Sequence, residues 1–144
     1  MVIWERDDWG TISAQTYVDN ILVPTIWPFW YHESRRTRST LWLMEDGAPA
    51  HRARLTQSYR DHYRIPSLRW PPASPDLNPI ENIWNLLKRR INDHQPRPTR
   101  RTEVKEAIIV EWNKITMEEI SNVVDSVPER VQAVISANGG NTRW

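Results

Sequence analysis

Two acids in this chain stand where acids can do chemistry. Asp46 follows the short apolar run Leu41–Met44 in TLWLMEDGAPAH and is followed by glycine and proline, the pattern of a buried strand that ends in a turn. Glu81 lies in WPPASPDLNPIENIWNLLKRR, residues 70–90, just where a proline-rich loop gives way to apolar residues at helical spacing. Residues 47–80, 34 in all, separate the two. That is room for a helix and a second strand, an order that brings both carboxylates to one edge of a sheet. Two carboxylates placed together repel unless they share a cation, and beside phosphate the usual cation is a hard, oxygen-seeking divalent metal, magnesium or manganese. The chemistry this suggests is metal-dependent phosphoryl transfer. Taken alone, Glu81 has a plainer reading: a carboxylate three residues after a helix cap resembles a capping box and complements the positive end of the helix dipole.

The elements that must position these acids are legible to different degrees. Pro71, Pro72, Pro75 and Pro79 keep their segment out of helix and sheet, so helix starts only at the last of them, with Asn78 as cap, Pro79 in the first position and Ile80, Ile83, Trp84, Leu87 and Ile91 recurring after it. Upstream, Ser13 suits the cap of a helix reaching about Trp30, with Tyr17, Ile21 and Leu22 on one face and Pro24 and Pro28 bending or interrupting it. MVIWERDDWG reads as a strand end entering a turn. HESRRTRST, residues 32–40, reads as an exposed polar linker whose Arg35, Arg36 and Arg38 are solvated, with DNA contact the alternative. A polar helix over 52–64 and a strand over 65–70, with Pro66 at its start or on an edge, follow Asp46. His51 is either a ligand or base or a surface histidine at a helix start.

The connector HQPRPTRR, residues 94–101, leads to three helical stretches. Val104, Ile108 and Trp112 give the first a core face. Thr116 with Glu119 and Ser126 with Glu129 form capping boxes for the next two, and Asn138, Gly139 and Gly140 stop the last. Strand, helix, strand, helix favours a parallel α/β arrangement with Leu41–Met44 beside Ile65–Trp70.

With Asp46 in LMEDGAPAH, Glu81 in WPPASPDLNPIENIW and 34 residues between them, the chain resembles the Tc/mariner superfamily of cut-and-paste DNA transposases, and the likeness extends through IWERDDWGTISAQTYVDNILVP to the VQAVISANGG ending, similar to fungal members. The resemblance implies a ribonuclease-H-like fold of the DDE transposase and integrase type. Here that fold lacks its first strands, because the family's first catalytic aspartate and its DNA-binding domains precede the matched region. It implies one domain over 1–144, with an α/β part over 1–95 and a helical part over 96–144. Asp46 and Glu81 become catalytic residues and ligands of Mg2+ or Mn2+, and Lys88, Arg89 and Arg90 become candidates for DNA phosphates, a solvated helix face being the alternative for the three cations. It implies DNA, in particular transposon ends, as partner and the nucleus as location, and it leaves this chain unable to cut DNA alone. The rival from another class is a non-catalytic remnant or an adapted nucleic-acid- or protein-binding domain.

Composition narrows the rest. A length of 144 residues allows a modest core, and net charge is +1, too small to mark a nucleic-acid binder by balance alone. Basic residues concentrate from Lys88 to Lys105, whereas acids outnumber bases from Glu106 onward. Cysteine is absent, which excludes disulfides and cysteine-ligated zinc, and no apolar run approaches the roughly 20 residues of a membrane span. Nine tryptophans suggest packing more than base stacking: Trp84 and Trp112 fall on apolar helical faces and Trp42 in the buried-strand segment, which leaves Trp70 beside the proline loop as the exception. An incomplete sheet would expose an edge, a route to self-association.

Overall fold

The computed structural model describes residues 2–3, 6–71, 74–140 and 142–144. It divides into two compact units, Met1–Ala73 and Ser74–Trp144. The expected strand end at the start of the chain includes Trp4 and Glu5, and the proline loop includes Pro72, all outside the described residues.

In the first unit a helical turn α1 (Arg6–Trp9) is followed by α2 (Ala14–Tyr17), capped by Ser13, whose Oγ accepts the N–H of Thr16 at 3.1 Å. The helix does not break at Pro24. It widens into a π-helix over Val18–Ile26 and continues as α3 (Trp27–Thr37). A proline in an α-helix lacks one donor and drives its ring against the carbonyl four residues back. Bonding to the fifth residue instead, as Trp27 N–H does to Leu22 O, relieves that clash. Pro28 falls in the first turn of α3, directly after the π-helix.

The segment expected to be a linker is therefore mostly helix. Glu33 pairs with Arg36 at 2.6 Å, Arg35 donates to the Tyr31 hydroxyl at 2.6 Å, and Thr37 bonds Glu33 O at 2.8 Å, so local pairs stabilise a stretch that buries nothing. Arg38, left-handed at φ 52, ends it.

Next come α4 (Pro49–Arg52) and α5 (Arg54–His62), close to the polar helix expected over 52–64 but begun earlier by Pro49. The two expected strands meet as a parallel pair, though only as a single bridge: Leu43 N–H donates to Pro66 O and Leu68 N–H to Leu43 O, each at 2.8 Å. Among the described residues no longer strand forms, so the architecture is mostly helical and the expected sheet is reduced to this contact. Two short segments make a marginal ladder, and Pro66 brings no N–H to it. Trp42, expected to be buried there, is 60% exposed, because a single bridge leaves the outward side chain uncovered. Beneath the bridge, Tyr17, Val18, Leu22, Ala50 and Ile65 form the core, with Trp27, Trp30 and Leu43 packed against it.

The second unit opens with a 3-10 turn (Pro75–Leu77) and α6 (Ile80–Asn92). Pro79 takes the cap position expected of Asn78, a one-residue difference at a helix end. Ile83 and Leu87 are buried as their spacing requires. Helices α7 (Arg101–Asn113), α8 (Met117–Asp125) and α9 (Val127–Ser136) complete the unit. On α7 the expected face is half-buried, and Ala107 and Glu111 are the buried positions.

Thr116 and Glu119 form the expected capping box: Glu119 N–H donates to Thr116 Oγ1 at 3.2 Å and Thr116 N–H to Glu119 Oε2 at 2.9 Å. The second box does not form. Ser126 already has helical dihedrals, and its hydroxyl donates to Val123 O at 2.6 Å and accepts from Arg130 Nε at 2.8 Å. Asn138 and Gly139, at φ 50 and 78, end α9 as expected. Met117, Val124, Val131 and Ile135 on α8 and α9 are exposed, as is Phe29 on α3.

Candidate active site

Asp46 and its neighbour Glu45 occupy an extended segment, where successive side chains alternate sides. Glu45 turns inward, 8% exposed, and Asp46 outward, 68% exposed. The inward carboxylate is neutralised by the equally buried Arg60 and accepts a hydrogen bond from the Tyr17 hydroxyl. Burial first, and Glu45 next, push the Tyr17 phenol well above its usual range, so the hydroxyl stays protonated as a donor. Arg60 also donates to the backbone carbonyl of His51 and to Gln57 Oε1, each at 3.0 Å. This packed group, assembled from α2, α4 and α5, fixes the turn on which Asp46 stands.

Asp46 is held locally by two bonds to one oxygen. Its Oδ1 accepts Ala48 N–H at 2.9 Å and lies 2.7 Å from His51 Nδ1. The Ala48 hydrogen bond, then that of His51, holds its carboxyl below the usual carboxylate range, so it is ionised at neutral pH. His51 rests on the Tyr17 ring at a centroid distance of 4.6 Å. Between a ligand or base and a plain surface histidine, the geometry gives a third role, a brace on Asp46. A polar cleft of about 550 Å³ opens beside Asp46, lined among others by His51, Arg52, Arg60, Arg69 and Trp70.

Glu81 sits in the first turn of α6, as expected. Among the described residues its carboxylate makes no hydrogen bond or ion pair, so no capping box forms, while its place in the first turn still suits the positive end of the helix dipole. It borders a pocket of about 420 Å³ with Trp84, Leu87, Lys88, Ile91 and Ile108, and Trp84 lies against Trp112 at 5.5 Å. Lys88 and Arg89 are exposed, whereas Arg90 is half-buried and bound to Glu119 Oε1 at 2.5 Å. Asp46 and Glu81 belong to different units.

Sequence reasoning missed Glu45, Tyr17 and Arg60. The signal available for Glu45 was its place beside Asp46, since one of two adjacent acids in an extended segment must face inward. No helix among the described residues is long and apolar enough to cross a membrane.

Comparison with known proteins places this geometry in a family. A model of the DDE superfamily endonucleases matches residues 11–104. The chain is 36% identical over 104 residues to the Tc1 transposable-element transposase of Caenorhabditis elegans, covering 71% of this chain and 37% of that one. It is 31% identical over 136 residues to the Tcb1 transposase of Caenorhabditis briggsae, covering 94% and 47%. It thus spans less than half the length of these relatives. Among solved structures, the catalytic domain of Mos1 mariner transposase superposes with a TM-score of 0.79 at 18% identity, over 92% of this chain and 65% of that one. The same domain with raltegravir and Mg gives 0.76 at 20% identity, over 92% and 66%. At these identities the structural likeness speaks for the fold, which is that of the Mos1 catalytic domain. The chain belongs to the DDE superfamily endonucleases, among the Tc/mariner transposases.

Proposed function

We propose that this chain supplies part of the centre that cleaves and joins DNA strands in a Tc/mariner-type transposase, as a portion of one endonuclease-type domain, with Asp46 and Glu81 as two of its divalent-metal ligands. The observation that carries the reading is the state of Asp46: ionised, exposed, one oxygen taken by Ala48 and His51, and the other without a hydrogen bond from any described residue. Glu81 offers a second carboxylate, one without a hydrogen bond or ion pair among the described residues. Hard anionic oxygens suit magnesium or manganese, so the donor set fits the metals the family resemblance implies. When bound, such ions activate an attacking oxygen and neutralise the leaving one in phosphoryl transfer.

The protein's own groups act around that chemistry. Ala48 and His51 hold Asp46 in one orientation. Lys88 and Arg89 take DNA phosphates without reading bases, while Arg90 braces α6 against Glu119. DNA is the partner, with self-association and a nuclear location as further parts of the same reading. The 144-residue chain alone does not cut DNA, since two carboxylates hold magnesium weakly.

Mn2+ titration by electron paramagnetic resonance tests the ligand assignment: Asp46→Asn and Glu81→Gln should each weaken binding, and unchanged affinity in both would refute it. Incubating supercoiled DNA with the purified chain in manganese tests inactivity. Cleavage lost on Glu81→Ala would overturn that part and give the chain a complete centre of its own.

A further inference from the structure

Asp46 and Glu81 are held in unlike ways, and the difference points to residues far along the chain. Asp46 is fixed through its own carboxylate, whereas the Glu81 carboxylate has no partner among the described residues. Its placement therefore depends on how α6 begins. That start is set by the 3-10 turn: Asn78 N–H bonds Pro75 O at 3.0 Å, Glu81 N–H bonds Asn78 O at 3.2 Å, and Asn82 N–H bonds Pro79 O at 3.2 Å. Leu77 is buried beneath it.

Asp76, at the middle of the turn, is gripped from two later points. Its backbone carbonyl accepts Arg130 Nη1 at 3.1 Å, and its Oδ2 accepts the Thr142 hydroxyl at 3.0 Å. Arg130 is 1% exposed and makes no ion pair among the described residues; its other contacts are Ser126 Oγ and the ring of Trp144, 4.6 Å from its Cζ. Trp144 is tied in turn by its backbone N–H, which donates to Thr142 Oγ1 at 3.3 Å. Burying a guanidinium that makes no ion pair is costly, a cost the nearby Asp76 charge offsets only in part, and replacing buried ionic groups by hydrophobic residues is often neutral or stabilising. What a hydrophobic residue there would not supply is the bond to Asp76.

We propose that Arg130, Thr142 and Trp144 form a clamp on Asp76 that positions Glu81 for its ligand. The inference rests on the reading of Glu81 as a metal ligand. The three are positioning residues, since none touches the reacting atoms.

The test uses the full chain with Thr142→Val, which removes one hydrogen bond at nearly constant volume, Thr142→Ser as conservative rescue, and Arg130→Met. Two readouts are taken: amide exchange by nuclear magnetic resonance at Glu81 and Asn82, and Mn2+ affinity. Thr142→Val and Arg130→Met should speed exchange at Glu81 and Asn82 by about fivefold or more, leave the amides of α8 unchanged, and weaken Mn2+ binding severalfold, with Thr142→Ser close to the parent on both. Unchanged exchange at Glu81 and Asn82 in Thr142→Val would overturn the clamp, as would faster exchange with Mn2+ affinity intact where Glu81→Gln lowers it. If Glu81→Gln leaves Mn2+ affinity unchanged while exchange rises as expected, the ligand reading fails and the clamp stands as a device that sets the start of α6.

Discussion

The adjacent acids Glu45 and Asp46 have opposite fates, and each gives a measurable consequence. Glu45 is half of a buried pair, and removing one partner strands a charge in the interior. Arg60→Ala should cost about 3–5 kcal/mol in urea unfolding, and the double replacement of Glu45 and Arg60 by methionine should recover most of it. Asp46 is held below its ordinary value of 3.8, mainly by Ala48, and Glu111 below its ordinary value of 4.5, first by Lys114 and then by His94. Because the folded value lies beneath the unfolded one in both, their stabilisation is complete above the unfolded value and disappears as pH falls through the folded value. Unfolding free energy should therefore decline on acidification from about pH 5 downward, and Glu111→Gln should flatten that decline. The type and place of Asp46 were legible in the sequence because strand, acid, glycine and proline mark a turn. The brace under it was not, since Tyr17, His51 and Arg60 meet only once α2, α4 and α5 are packed.

At the level of elements, local chemistry was readable wherever one side chain closes on its own neighbourhood. Thr116 is such a case, and Thr116→Ala should lower stability by about 1 kcal/mol, measured by thermal or urea unfolding. Ser126 has the same sequence signature, yet its hydroxyl goes to Val123 and Arg130, so the buried arginine outcompeted the cap. The start of α6 was legible from Pro79 and the apolar spacing after it. Pro24 misled, because sequence rules forbid proline inside an α-helix but do not foresee a π-helix that absorbs it. Residues 32–37 misled as well, because polarity was taken for absence of structure, although Glu33 and Arg36 stand at a spacing that stabilises helix. The parallel pairing was anticipated, but a strand's length depends on its neighbours, which no local pattern within 41–44 or 65–70 reports.

For the whole chain, net charge of +1 makes any DNA affinity a matter of where the cations lie rather than how many there are. Lys88→Ala and Arg89→Ala should each weaken binding evenly across DNA sequences and reduce the salt slope by about 1, whereas Arg90→Ala should act chiefly on stability through its bond to Glu119. Filter binding or fluorescence anisotropy over a salt series reads both effects. The exposed Met117, Val124, Val131 and Ile135 have a further consequence at this scale. With an isoelectric point near 8.1, molecules in a mildly alkaline buffer carry almost no charge to keep them apart. Apolar faces then meet without electrostatic opposition, and turbidity should peak near that pH and clear in acidic buffer, where a growing net positive charge restores mutual repulsion.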